Sequence, residues 1–161
     1  MPLGHNVVSI PSAAGALTPA TITWADEARE QAFLAWLAPL VSAHQLDAAS
    51  VRAASADASF RRYFRVDSGD PHTGGSLIIM DAPPEKEDCH PFVAVARLLE
   101  SGGVGVPHIL QWDEAQGFML LSDLGSHTLL STLVTDDPND AGNRARYLSA
   151  IDELVRLQQV P

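Results

Sequence analysis

The sequence predicts an α+β fold: a five-stranded antiparallel sheet with a helix against it, entered from one helix and left through two more. Three observations predict it. Phe60, Arg62, Phe64 and Val66 alternate with Arg61, Tyr63 and Arg65, the period-two pattern of a half-buried strand. Further apolar runs at 77–80, 109–112 and 118–121 are joined by turn-rich connections. They do not alternate regularly with helices, which argues against a doubly wound parallel sheet. One helical stretch, 91–101, falls between the third and fourth strands, with Pro91 in its first turn and Gly102-Gly103 at its end.

Each element has a local reason. Residues 1–22 hold Pro2, Gly4, Pro11, Gly15 and Pro19 among small residues and read as a flexible leader. Thr23, Asp26 and Glu27 signal a helix start. Phe33, Trp36, Leu37, Leu40 and Val41 then recur on one helical face, with Pro39 expected to kink or interrupt the helix near Ala38. The first strand, 51–55, is short and weak. Residues 67–75 form a Gly- and Pro-rich connection to the strand at 77–80, which Pro83 and Pro84 stop. In the helix at 91–101, Phe92, Val95, Leu98 and Leu99 share the apolar face. The last two strands form a hairpin around 114–117. A short helix at 127–134, a loop at 136–142 with Asp140 as a cap, and a helix at 144–159 complete the chain. Tyr147, Leu148, Ile151, Leu154 and Val155 make up the apolar face of that last helix.

Composition narrows the function. The 161 residues carry 20 acidic and 10 basic side chains, a net charge of −10. Nucleic acid and anionic membrane are poor partners for such a chain, since both require a basic face. A phosphate site is still allowed, because it needs only a few well-placed donors. Lys86 is the single lysine, so any lysine-dependent chemistry must run through it. The single cysteine, Cys89, excludes an intrachain disulfide and fits a reduced, cytoplasmic setting. Cys89 beside His90 reads as a helix-start loop, because no third partner stands at metal or nucleophile spacing. Asp136 and Asp137 read as solvated loop residues, and Trp24, Trp36 and Trp112 as core or interface residues.

Four stretches in order carry a resemblance: Asp57-Ala58-Ser59-Phe60-Arg61-Arg62-Tyr63-Phe64-Arg65-Val66, Met80-Asp81-Ala82-Pro83-Pro84-Glu85, Gly105-Val106-Pro107, and Met119-Leu120-Leu121-Ser122-Asp123-Leu124-Gly125. The chain from about Asp26 onward resembles the aminoglycoside phosphotransferase-like kinases, and within them the bacterial kinases that phosphorylate N-acetylmuramate and N-acetylglucosamine at the anomeric hydroxyl. The resemblance implies a protein-kinase-like small lobe at 23–121, followed at 122–161 by a hinge and the first helices of a truncated large lobe. It implies ATP and Mg2+ as cofactors, with the magnesium ligands in the missing lobe, and an amino sugar as acceptor in the full-length protein.

On this resemblance the nucleotide contacts are Asp57, Ala58, Ser59 and Phe60 in a turn over the phosphates, with Arg61 and Arg62 beside it. Met80 stands near the usual strand-three lysine position, and Leu121, Ser122, Asp123 and Leu124 form the hinge. Backbone groups of Ser122 and Leu124 would read the adenine edge. The residues alone leave other readings open. The turn could be a polar hairpin tip, the arginines could be a solvated face or pair with acids, and the hinge could be an edge strand running into a helix cap.

Two departures from the family pattern stand out. The strand-three lysine is absent, and no acid occupies 91–93, where the helix glutamate that pairs with it is expected. None of the six histidines (His5, His44, His72, His90, His108, His127) has an aspartate two residues later, so the H-x-D-x-x-x-x-N catalytic loop is not in this chain. The expectation is therefore the nucleotide-binding half of a sugar kinase, with no catalytic or metal-binding residue of its own. The alternative is a non-catalytic nucleotide-binding or protein-interaction module built on the same lobe.

Overall fold

The computed structural model describes residues 22–24, 26–56, 60–137 and 139–161. The leader at 1–21 and the turn residues Asp57, Ala58 and Ser59 lie outside the described residues. The elements follow the order α1 (Glu27–Ala43), β1 (Leu46–Ala56), β2 (Arg62–Ser68), β3 (Ser76–Asp81), α2 (His90–Ser101), β4 (Ile109–Asp113), β5 (Phe118–Ser122) and α3 (Ala141–Gln158). The strands form one antiparallel sheet in the order β1-β2-β3-β5-β4. The five-stranded α+β prediction holds.

One side of the sheet packs on α1. Phe33, Leu37 and Leu40, spaced along one helical face, are buried against Phe64, Val66, Leu77, Ile79, Phe118 and Leu120. Asp26 caps α1 by accepting the Ala28 amide at 2.8 Å. Pro39 does not interrupt the helix, which continues to Ala43. Pro39 and Ala35, whose carbonyl loses its usual partner, both lie on the exposed side. Water can satisfy that carbonyl, while burying each of the large side chains contributes about 1.5–3 kcal/mol.

The other side of the sheet packs on α2. Met80, Met119 and Leu121 meet Cys89 and Val93. The predicted inner face of α2 is only half used: Phe92 packs against this contact, Val95 and Leu98 are exposed, and Val93 and Ala96 are the buried positions.

β1 is longer than predicted, running 11 residues. Its Ala- and Ser-rich sequence has weak strand preference, but pairing with β2 imposes the conformation, with register shifts between Asp47 and Arg52 and between Ala53 and Ser55. The hairpin between β4 and β5 turns at Gly117, at φ +70°, where a Cβ would collide with the Ala82 carbonyl. Only a glycine fits there. After β5, the expected helix at 127–134 reduces to a single 3-10 turn at Leu130–Thr132. Asp140 caps α3 through the Asn143 amide at 2.7 Å, as expected, so the helix starts at Ala141 rather than at Arg144. Tyr147, Leu148, Ile151, Leu154 and Val155 are all exposed.

Candidate functional site

The strand register places the site. In β2, Arg62, Phe64 and Val66 point toward α1. Tyr63 and Arg65 alternate with them and point to the α2 side, as predicted. On β3, Ile78 stands opposite Arg65 and Met80 opposite Tyr63. On β5, Leu121 stands opposite Ile78. Tyr63, Arg65, Ile78 and Leu121, with Ala54 from β1, Phe92 from α2 and the segment 122–126 leaving β5, surround a cavity of about 540 Å³. Its lining is mainly apolar with a few polar groups converging at one end, the usual character of a small-molecule site. A larger recess of about 670 Å³ lies between residues 133–135 and the start of α3, formed by loop residues and the exposed side of that helix. The cavity at the strand-to-loop junction is the better candidate because it sits on the ordered sheet.

An ion pair fixes its polar end. Arg65 meets the Asp123 carboxylate through Nε at 2.5 Å and Nη2 at 3.0 Å, and Nη2 also donates to the Gly125 carbonyl at 3.2 Å. Asp123 further accepts the Ser76 hydroxyl at 2.7 Å and the Gly125 amide at 2.8 Å. The Arg65 hydrogen bonds, working against partial burial and helped by Ser76 and Gly125, hold the Asp123 carboxyl down at about 2. The segment leaving β5 is thereby fastened to β2 and β3. Ser122 donates its amide to the His108 carbonyl at 2.9 Å. Leu124 is exposed at the mouth, and among the described residues its amide has no hydrogen-bond acceptor.

The other sequence-predicted residues are placed as follows. Phe60 is exposed, and its amide donates to Glu87 Oε1 at 3.0 Å. Arg61 Nε lies 3.3 Å from Glu87 Oε2. Arg62 is on the α1 side, bound through its Nε at 3.0 Å and its Nη2 to the Asp81 carboxylate. Arg29 of α1 binds the same carboxylate from the other side, at 3.1 Å and 2.6 Å. The guanidinium of Arg62 also lies 4.3 Å from the Trp24 ring centre. Met80 is fully buried beneath α2 and does not line the cavity. Lys86 lies over the Phe60 ring, in a recess shared with Trp24, Arg29 and Arg62 on the α1 side.

The structure thus brings Leu121, Ser122, Asp123 and Leu124 to one cavity and leaves Arg62 and Met80 outside it. The sequence reading did not single out Ala54, Ile78 or Phe92 for the site. Alternation from Met80 would have found Ile78. The apolar spacing of α2 marks Phe92 as an inward residue, but its place at the cavity depends on how α2 packs against the sheet. Among the described residues, no group of three or more His, Cys, Asp and Glu side chains is arranged to hold a metal ion.

The sequence of the chain matches known proteins. A family model described as the phosphotransferase enzyme family matches residues 50–161. The N-acetylmuramate/N-acetylglucosamine kinase of Pseudomonas aeruginosa is 51% identical over 107 residues, covering 66% of this chain and 29% of that protein. The kinase of the same name from Pseudomonas putida is 44% identical over 117 residues, covering 73% and 32%. The one from Neisseria meningitidis serogroup B is 42% identical over 106 residues, covering 66% and 30%. The matched stretch spans less than a third of each of these curated relatives. With a match that extends from β1 across the cavity to α3, the chain belongs to the phosphotransferase enzyme family.

Proposed function

We propose that this chain is the nucleotide-binding part of an ATP-dependent kinase that phosphorylates amino sugars such as N-acetylmuramate and N-acetylglucosamine, in the recycling of cell-wall sugars in the cytoplasm. One observation carries the nucleotide reading: an apolar cavity whose rim segment, 122–125, is locked to the sheet by Arg65 and Asp123. A flat heteroaromatic base fits between Ile78, Leu121 and Leu124. The Leu124 amide supplies a donor at its edge, and backbone readout needs no particular side chain there. The phosphates then leave toward the β1–β2 connection, where the resemblance places Asp57, Ala58, Ser59 and Phe60. The names of the relatives support the amino-sugar acceptor.

The described residues suit the base of ATP. They do not suit Mg2+, since no acidic or histidine cluster is present among them, so no step is assigned to the metal. ATP would supply the transferred phosphoryl group. This chain's part is to hold the base and orient the phosphates. On this reading the base that orients the sugar hydroxyl belongs to another part of the kinase, since no histidine of this chain is followed two residues later by an aspartate. No helix among the described residues is long and apolar enough to cross a membrane.

Titration of 15N-labelled chain with ATP tests the nucleotide reading. Saturable shifts are expected at the amides of Ile78, Leu121 and Leu124, with weak affinity, because a cleft with one wall buries little of the ligand. No shift at these amides at millimolar ATP would refute it. Assay of the kinase containing this chain, with ATP and N-acetylmuramate, tests the activity. Nucleotide binding without sugar phosphate would favour the non-catalytic module.

A further inference from the structure

The cavity has a direction. Arg65 stands opposite Ile78 and Tyr63 opposite Met80, so the walls from Asp123 through Arg65 to Tyr63 step along the strands away from the β5 exit. Arg61 lies two residues beyond Tyr63 on the same side of β2. It is joined to the cavity wall by two of its lining residues: its guanidinium carbon lies 5.8 Å from the Phe92 ring centre, and it shares a hydrogen bond with Tyr63. A ligand whose base lies against Leu121 and Leu124 would therefore leave past Tyr63 and Phe92 and meet Arg61.

Among the partners of Arg61 is the Glu87 carboxylate. Glu87 Oε2 lies 3.3 Å from Arg61 Nε, and the two side chains are only 14% and 23% exposed. The other oxygen, Oε1, accepts the Phe60 amide at 3.0 Å. Glu87 itself sits in a turn closed by its amide on the Pro83 carbonyl at 3.0 Å. A single side chain thus links the Nε edge of Arg61 and the backbone one residue earlier, anchored in the loop between β3 and α2. Other cations near the cavity are committed elsewhere: Arg65 to Asp123, Arg62 to Asp81 on the far side, and Lys86 over Phe60 on that same far side. β3 contributes only buried Met80 at the matching level. A guanidinium has five N–H donors, so contact with Glu87 along its Nε edge is compatible with a second anion.

We propose that Glu87 is the positioning residue that holds Arg61 against the phosphate oxygens of a bound nucleotide. The Arg61–Glu87 pair would take the place of the strand-three lysine and helix glutamate that this chain lacks, with both members drawn from different elements. The assignment rests on the nucleotide reading above.

The test is to titrate ATP and adenosine separately into the labelled wild-type chain and its Glu87→Gln and Arg61→Gln variants, with the 15N spectrum as the check of fold. Wild type should prefer ATP. Each variant should bind ATP about tenfold more weakly, the scale of one charge-assisted contact, while adenosine affinity stays unchanged. Glu87→Asp should recover part of the loss. If Glu87→Gln keeps the wild-type preference for ATP, or weakens ATP and adenosine alike, the assignment is overturned, the second result meaning a merely structural role. Should Glu87→Gln not fold, Arg61→Gln decides by the same comparison, because it leaves the Phe60 amide bound. Wild type that binds neither ligand overturns the nucleotide reading itself, and the assignment with it.

Discussion

The Asp123 carboxylate is where electrostatics in this chain can be measured most directly. It takes two hydrogen bonds from Arg65, one from Ser76 and one from the Gly125 amide, with only 6% of its side chain exposed. Holding a carboxyl at about 2 rather than 3.8 stabilises its charged form by about 2 kcal/mol, at about 1.4 kcal/mol per tenfold. Asp123→Asn keeps the shape and an oxygen for the Gly125 amide while removing the charge, so it should cost about that amount at neutral pH, or about 4–8 °C in Tm for a chain of this size. The sign follows from the depressed value. The contribution is complete above about pH 4, where the unfolded chain is already ionised, and is lost as pH falls through about 2. Urea titrations of wild type and variant at pH 7, 5, 4, 3 and 2.5 should therefore show a gap that is constant down to about pH 4 and then closes. A gap below about 0.5 kcal/mol at pH 7, the range of an exposed surface pair, would refute the reasoning. So would a gap that persists undiminished at the lowest pH.

Two further outcomes follow from other charges. Asp81 is fully buried between Arg29 and Arg62. Asp81→Ala leaves both guanidiniums uncompensated beside α1, and should cost about 3 kcal/mol, the lower end for a broken buried pair because both arginines reach solvent on one side. A loss under about 1 kcal/mol by urea unfolding would mean the pair is screened like a surface contact. At the start of α2, His90 Nδ1 lies 2.8 Å from Asp88 and Nε2 lies 3.0 Å from Glu114. The hydrogen bond to Asp88, helped by the Glu114 charge, raises the His90 value above 6.5. Its stabilising effect is thus present at acid pH and lost as pH rises through the raised value. NMR titration of the His90 ring should give a midpoint above that of a free histidine and move it down in Glu114→Gln; an identical midpoint in the two proteins would show that Glu114 does not act on the ring.

The parts of the fold legible in the sequence are those set by local periodicity. The alternation through 60–66 placed Arg62 on one side of β2 and Arg61 with Arg65 on the other. The seam of Phe33, Leu37 and Leu40 set the buried face of α1, and the capping signals at Asp26 and Asp140 marked two helix starts. What could not be read depends on contacts between elements. Pro39 is tolerated because the side of α1 that loses a hydrogen bond faces solvent. The inner face of α2 is set by packing against Met80, Met119 and Leu121, which buries Val93 and leaves Val95 and Leu98 exposed. β1 extends beyond its own preference because β2 offers a ladder to pair with. In the site, position along the chain found the rim 121–124 but not Phe92, which reaches the cavity only through the packing of α2.

The arginines of β2 show why the sequence and the structure divide in this way. Arg61, Arg62 and Arg65 lie within five residues, and three fates were open to them from sequence alone: phosphate, solvent or acid. Each meets the third of these, a carboxylate from a different part of the chain: Glu87 before α2, Asp81 at the end of β3, and Asp123 at the exit of β5. The Arg65 partner is 58 residues away and the Arg62 partner 19, so no motif spacing could have paired them. One strand therefore fixes three elements by charge as well as by backbone pairing, in a chain with twice as many acids as bases. An excess of acids makes every arginine easy to neutralise. A free cation would find a partner in any case, so what distinguishes these three is which partner each has and on which side of the sheet. Arg62 binds α1 to the sheet, and Arg65 binds the rim of the cavity. Arg65 is taken up by two hydrogen bonds to Asp123 and one to the Gly125 carbonyl, whereas Arg61 meets Glu87 through its Nε edge beside Phe92, and for that reason the phosphate assignment narrows to it.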